Sequence, residues 1–375
     1  MKNKINKILL LALFILLIGT NIYATSLGDY DNDGEITSFD AYKTLELSIA
    51  DREFTNEEIN TLDIDKDGTI TSFDAYLILS YSIGIDDNGY WAVVETDPDE
   101  EIFNSYYNPV ESKFYYNQLS EDEKKIYDAL YENKDELKEG TRHDVADMPY
   151  TTKSETDEIV KNVYYAYKYD NPDDFYMVTS NIGIQTNSDK KDKISSVAPE
   201  LYKNLGDINI SISEFEKARR EAIVSLTATN DFEKVFQLHN YLVKHNTYET
   251  RVIENPNFET AGTYTAYGAI VKGRSVCEGY AMAYKYLLNA VGIECEVIMG
   301  ATDTGSHSWN AVKLDGNWYY VDATWDDPIG IDDPDYVGFS YFLVGSDKLE
   351  QDHIAISPTD RFEFPSISKL NYVKK

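Results

Sequence analysis

Cys277, His307 and Asp322 have the side-chain types, and the order along the chain, that acyl transfer needs. Cys277 lies in Ser275-Val-Cys277-Glu278, ahead of Tyr280, Tyr284, Leu287, Leu288 and Val291 at helical spacing, with Gly292 as a stop. Ser275 with Glu278 predicts a capping box that places Cys277 in the first helical turn. There the unpaired N–H groups and the positive end of the helix dipole favour the thiolate, which is the nucleophilic form. His307 and Asp322 lie in two strand-like runs joined by Asp315-Gly316, a pair that predicts a two-residue hairpin. If Leu314 pairs with Asn317, His307 falls opposite Thr324 and Asp322 becomes its diagonal neighbour on the same face. A three-residue loop would reverse the parity and separate them. The expectation is therefore a hydrogen bond between His307 and Asp322, with Cys277 against the other ring nitrogen. In that arrangement His307 accepts the thiol proton and returns it to a leaving amine, while Asp322 fixes the tautomer.

The elements that hold these residues are legible in part. Ser120 with Glu123 predicts a capped helix carrying Ile126, Leu130 and Leu137, and helical periodicity follows at 213–226 and 231–245. Residues 175–179 read as a strand. Cys295 follows a helix about 21 Å long that starts at Cys277, so it is expected to be a buried strand residue and not a disulfide partner. His239 reads as a packed helix residue, and His143, His245 and His353 have no partner at informative spacing. The 31 tyrosines are scattered through the chain and read as ordinary packing.

A second chemistry sits near the N-terminus. Asp29, Asp31, Asp33, Glu35 and Asp40 recur 34 residues on as Asp63, Asp65, Asp67, Thr69 and Asp74, with Gly34 and Gly68 at the sixth position of each loop. Carboxylates at positions 1, 3, 5 and 12, a carbonyl at position 7 and glycine at the sharp turn are the ligand set of a calcium loop. Each loop runs into an apolar helical stretch. Residues 28–87 hold 16 acidic residues against Lys43, Arg52 and Lys66, so two calcium ions are expected to offset the self-repulsion.

The whole chain has 375 residues, with 34 Lys+Arg against 66 Asp+Glu and a formal charge of −32. That charge argues against nucleic acid or anionic lipid as a partner. Two cysteines exclude a disulfide scaffold. Lys2, Lys4 and Lys7 precede 12 uncharged, mostly apolar residues and then Ala24, the pattern of a secretory signal peptide over 1–24. Twelve residues rise only about 18 Å, too short to cross a bilayer. The protein is expected to work outside the cell, off the membrane.

The paired loops, each followed by a helix with none before it, resemble the type I dockerin module of cellulosome-forming anaerobic bacteria over residues 27–87. The resemblance implies two Ca2+ and docking to a cohesin domain of a scaffold protein. It also implies that loop positions 10 and 11, here Ser38-Phe39 and Ser72-Phe73, help choose the partner; the competing reading of the phenylalanines is core packing. Further on, Tyr267-Gly268, Gly273-Arg274-Ser-Val-Cys277-Glu278-Gly279-Tyr280, Gly305-Ser-His307-Ser-Trp309-Asn310 and Trp318-Tyr-Tyr-Val-Asp322-Ala-Thr-Trp325-Asp326 resemble the transglutaminase-like core. That resemblance implies a papain-like α+β domain over 113–375, with its catalytic core near 230–330, after a linker over 88–112. Its Cys, His and Asp carry over to Cys277, His307 and Asp322, with no cofactor for catalysis. An oxyanion donor is also required, for which the Cys277 backbone N–H and Tyr267 are candidates. The implied function is a secreted cysteine peptidase or amidase acting beside polysaccharide degradation. A cross-linking transamidase and a non-catalytic binding module are the alternatives.

Overall fold

The computed structural model describes residues 27–85 (except 32, 34, 51 and 53), 98–138, 143–149, 153–186, 193–202, 205–255, 258, 262–327 and 336–374. The chain divides into two units between Asp97 and Pro98. The expected signal segment 1–24 and the linker residues 88–97 lie outside the described residues. No helix among the described residues is long and apolar enough to cross a membrane.

The first unit is all-helical. Helices α1 (Ser38–Ser48) and α3 (Ser72–Ser82) each start from a threonine cap, Thr37 and Thr71, closed into a capping box by Asp40 and Asp74. Between them α2 (Asn56–Leu62) starts from a third capping box, Thr55 with Glu58, that the loop pattern does not announce. Ala41, Leu62, Ile64, Ile70, Leu77 and Ile78 form the small buried core. Leu27, Ile36, Leu47 and Phe54 pack against it, while Phe39, Tyr42, Leu45 and Ile49 along and just past α1, and Phe73, Tyr76, Leu79 and Ile83 at the same positions of α3, are exposed.

The second unit begins at Pro98. Helix α4 (Pro98–Tyr106) carries Asp99, Glu100 and Glu101 in its first turn, where the dipole favours acids. Glu100 pairs with Arg220 at 2.6 Å, and the Tyr106 hydroxyl donates to the Ala228 carbonyl at 2.8 Å. The backbone N–H groups of Asn108 and Val110 donate to Ala290 and Asn289. Residues 98–112 are thus packed structure, contrary to the expected linker. The acidic run that reads as linker sequence is the first turn of a helix whose aromatic face, Phe103, Tyr106 and Tyr107, packs against the core.

Helices α5 (Glu121–Glu132), α6 (Lys153–Asp170), α7 (Ile208–Val224) and α8 (Asp231–His245) follow, with α9 (Ala266–Ile270) and α10 (Cys277–Ala290). Strands β1 (His143–Pro149), β2 (Met177–Thr186) and β3 (Lys193–Leu201) form an antiparallel sheet in the order β1-β3-β2. Strands β4 (Thr247–Tyr248) and β5 (Arg274–Ser275) pair in parallel just before α10. Strands β6 (Cys295–Thr302), β7 (Gly305–Leu314), β8 (Asn317–Val321) and β9 (Ile354–Ala355) form the second antiparallel sheet, ordered β8-β7-β6-β9. The unit is α+β, and buried α10 is one of its central elements, with Tyr280, Tyr284, Leu287 and Leu288 in the core.

A buried charge cluster ties α10 to its neighbours. Lys285 Nζ lies 2.5 Å from Glu296 Oε2 on β6 and 4.0 Å from Asp170 Oδ1 at the end of α6, all nearly without exposure. Ser112 donates to Glu296, and the N–H groups of Tyr115 and Tyr116 donate to Asp170. Burial first, and the Glu296 charge, push the Asp170 carboxyl up to about 7 against the pull of Lys285. Lys285→Met strands Glu296 in the interior and is expected to lower stability by about 3–5 kcal/mol. Urea unfolding followed by tryptophan fluorescence measures it, and a loss under about 1 kcal/mol would count against the cluster as a structural anchor.

Candidate active site and metal loops

Cys277 is the first residue of α10, and its thiol is partly exposed. The cap differs from the expected one. Val276 is the N-cap, with no side-chain cap bond. Ser275 is in β5, fully buried, and its hydroxyl accepts from Asn246 at 2.8 Å. Glu278 instead accepts from the Tyr169 hydroxyl at 2.7 Å and pairs with Lys168 at 2.8 Å. The strand pairing with Tyr248 takes Ser275 out of reach of the helix, so tertiary contacts override the local capping signal. Gly279 permits this close start: a Cβ there would stand 2.4 Å from Ser275 Cβ. At the first position of a helix the Cys277 N–H has no intrahelical partner.

The hairpin has the predicted register. Asp315 and Gly316 take positive φ of 51° and 80°, as a two-residue primed turn requires, and Leu314 pairs with Asn317. Asp322, just past the end of β8, comes back to His307 on β7, with Oδ2 2.7 Å from Nε2. Cys277 and His307 line the same cleft, near enough for the thiol to act on the imidazole. Asp322 has no exposure and His307 only 9%. Burial works against a charged His307, but the bonds and charges of Asp322 and Cys277 outweigh it and push its pKa up to about 10. For Asp322, burial is outweighed by His307 and His353, which hold its carboxyl below the usual range.

Cys277 and His307 line a cleft of about 420 Å³ whose walls also include Tyr164, Tyr165, Tyr169, Tyr264, Met299 and Ile356. Lys168 also lines it, its ammonium held charged by Glu278 in spite of burial. Tyr248 stands near enough for the Cys277 and Asp322 charges to act on it, and burial with those charges pushes its hydroxyl up to about 12. Tyr267 is not part of this cleft. Its ring stacks on Phe175 in the core, and its hydroxyl donates to Glu214 at 2.7 Å, so it is no oxyanion donor. The buried imidazole of His353 meets Asp322 Oδ2 at 3.0 Å, a contact that spacing along the chain does not reveal.

In the first unit the carboxylates of Asp29, Asp31 and Asp40 converge, as do those of Asp63, Asp65 and Asp74, with one oxygen from each within 4.8 Å of the others in its trio. These are loop positions 1, 3 and 12. Asp33 and Asp67 accept the N–H groups of Glu35 and Thr69. Desolvation, followed by the charges of neighbouring carboxylates, raises the Asp31 carboxyl above its ordinary value. A hard divalent cation fits such an oxygen-only set, with Asp33, Asp67 and the carbonyls of Glu35 and Thr69 completing it. Ser38, Phe39, Ser72 and Phe73 are exposed, Phe39 by 48% and Phe73 by 42%, so the phenylalanines are not core residues.

Comparison with known proteins finds a match within each unit. Residues 27–81 match the type I dockerin domain model, and residues 220–323 match the model of the transglutaminase-like superfamily. The chain joins a type I dockerin domain to a transglutaminase-like domain. The transglutaminase-like match contains Cys277, His307 and Asp322. Among curated proteins, the kyphoscoliosis peptidases of Mus musculus and Homo sapiens are each 24% identical to this chain over 110 residues, which is 26% of this chain and 16% of theirs. The match thus spans about a sixth of those relatives. A solved TGase structure is similar at 14% identity and a TM-score of 0.28, over 41% of this chain and 44% of that one.

Proposed function

We propose that this chain is an exported, scaffold-docked cysteine enzyme that attacks amide bonds through Cys277, His307 and Asp322, with water resolving the thioester. The observation that carries the reading is the hydrogen bond from buried Asp322 to His307, whose imidazole shares the wall of a cleft of about 420 Å³ with a thiol at a helix N-terminus. His307 takes the thiol proton, the thiolate adds to the carbonyl, and the oxyanion meets the Cys277 N–H. His307 then protonates the departing amine to leave an acyl-thioester, and water, deprotonated by His307, releases the acid and regenerates the thiol.

The dockerin domain supplies the address. Two Ca2+ bound by the paired loops hold α1 and α3, whose matching stripes Phe39-Tyr42-Leu45-Ile49 and Phe73-Tyr76-Leu79-Ile83 offer a cohesin the same surface twice. Ser38 and Ser72 stand at the head of each stripe. The enzyme then works in the extracellular cellulosome, on protein embedded in the polysaccharide being degraded.

Iodoacetamide labelling tests the reacting pair. Cys277 is expected to react at neutral pH at least about tenfold faster than a free thiol, because a paired imidazolium keeps it ionised. A rate equal to that of a free thiol would leave only a binding module. Incubation with casein and an amine donor tests the resolving step: cleavage or deamidation is expected, and amine incorporation alone would make the chain a transamidase.

A further inference from the structure

Asp322 has more partners than the orientation of one histidine requires. Its Oδ1 accepts the N–H groups of Thr324 and Trp325 at 2.9 and 3.1 Å. Its Oδ2 meets two imidazoles, His307 Nε2 at 2.7 Å and His353 Nε2 at 3.0 Å. His353 is 1% exposed, its ring packed on Trp325 and 5.4 Å from the ring of His307. Its other nitrogen, Nδ1, lies 2.6 Å from Asp352 Oδ1, and Asp352 in turn accepts the Tyr341 hydroxyl at 2.6 Å.

Both ring nitrogens of His353 therefore face carboxylate oxygens. A neutral imidazole has one donor and one acceptor nitrogen, and an acceptor does not face an ionised carboxylate at hydrogen-bond distance. Asp322 also accepts the N–H groups of Thr324 and Trp325, and Asp352 the Tyr341 hydroxyl, so both carboxyls sit among donors as ionised acceptors do. Facing two such acceptors, His353 donates from both nitrogens, as an imidazolium does.

We propose that His353 is a positioning residue of the reacting pair, a buried imidazolium clamped between Asp322 and Asp352 that pins Asp322 against His307 and restrains how tightly His307 holds its proton. Asp322 alone, unshared and buried, would bind a proton on His307 so firmly that transfer to the leaving amine would be slow. A fixed positive charge beside it takes up part of that field. The other charged and titratable groups around this cluster are Tyr341 and Lys348 behind Asp352, Asp326 beside Tyr341, and Cys277 and Tyr248 beyond Asp322. They leave Asp322 and Asp352 as the carboxylates in hydrogen-bond contact with His353.

The proposal rests on the reading of Cys277 and His307 as the reacting pair, and one experiment separates the two. Alkylation of Cys277 by iodoacetamide is followed against pH in the full chain and in His353→Gln, whose amide keeps a donor toward Asp322 but carries no charge. Cys295, the other cysteine, is fully buried, so labelling reports Cys277. Removing a nearby cation disfavours the thiolate and favours the His307 imidazolium, so both limbs of the profile are expected to move upward by about one pH unit. A merely structural role lowers the folded fraction without moving the limbs. Wild-type Cys277 reacting like a free thiol would sink the functional reading. A reactive wild type whose limbs stay put in folded His353→Gln would overturn the present proposal alone. Should that variant not fold, 15N spectra of histidine-labelled wild type decide it. Both His353 ring nitrogens are expected in the protonated range across neutral pH, and one unprotonated nitrogen overturns the imidazolium.

Discussion

Replacing Cys277 by alanine is expected to reduce amide turnover by at least about 10³-fold while the cleft and the His307–Asp322 bond persist. The sulfur forms the bond to the acyl carbon as the amide nitrogen leaves. Cys295 is buried, its thiol pushed well above the ordinary range by burial and then by Glu296, so it neither reaches substrate nor ionises. Asp322→Asn is expected to cost a comparable factor for a different reason. An amide nitrogen facing His307 Nε2 forces the wrong tautomer, and His307 then presents a proton to Cys277 where it should accept one. The pH dependence follows from the same geometry. His307 has a folded-state pKa raised to about 10, above its unfolded value of about 6.5. Its bonds to Asp322 and Cys277 therefore stabilise the fold fully below about pH 6.5, and that contribution is lost as pH rises through about 10. Asp322 is the opposite case: its lowered value gives stability that is present above about pH 4 and lost on acidification. His307 and Asp322 should thus keep their charges through the neutral range. Kinetics of Cys277→Ala, Asp322→Asn and wild type on a casein substrate measure the losses. A Cys277→Ala variant retaining a tenth of wild-type activity would remove the sulfur from the mechanism.

What sequence could and could not say about this site divides by range. The hairpin was legible because Asp315-Gly316 fixes a two-residue turn locally, and parity then carries His307 to Asp322 across seven residues of strand. The start of α10 at Cys277 was legible, but its cap was not, since Ser275 is claimed by strand pairing with Tyr248 and by Asn246, both nearly 30 residues away in sequence. Tyr267 misled in the same way: a tyrosine next to Gly268 in a motif near the cysteine gives no sign that its hydroxyl turns to Glu214 on another helix. His353 stands 31 residues beyond Asp322 and returns through β9 at the sheet edge, so no local period could have placed it. The acidic stretch at the start of the second unit reads as linker because charge density and proline suggest one. Its aromatic residues at 103, 106 and 107 were the signal of a packed helix.

Withdrawal of calcium is expected to unfold the dockerin domain while the transglutaminase-like domain stays folded. Among its described residues the first unit has one small cluster of six buried apolar side chains, and the sequence over residues 28–87 holds 16 acidic residues against three basic ones. Asp40 and Asp74 are 1% and 0% exposed, and each brings a carboxylate within 4.8 Å of two others. Like charges at such spacing oppose folding unless a cation sits among them. An ion present at about 1,000 times its Kd adds roughly 4 kcal/mol per site, as much as a domain this small can be expected to hold in total. A thermal melt of the full chain should therefore show two transitions in calcium, the lower one abolished by EDTA and restored on adding the metal back. Asp40→Ala separates the metal from the helix cap. Asp40 also accepts the Thr37 N–H and hydroxyl, both at 2.8 Å, so its loss removes a capping box worth about 1 kcal/mol as well as a ligand. The cap is lost with or without metal, whereas the ligand matters only when calcium is present. If Asp40→Ala shifts the lower transition equally in calcium and in EDTA, or if EDTA leaves that transition in place, the loops do not hold the domain together through a metal.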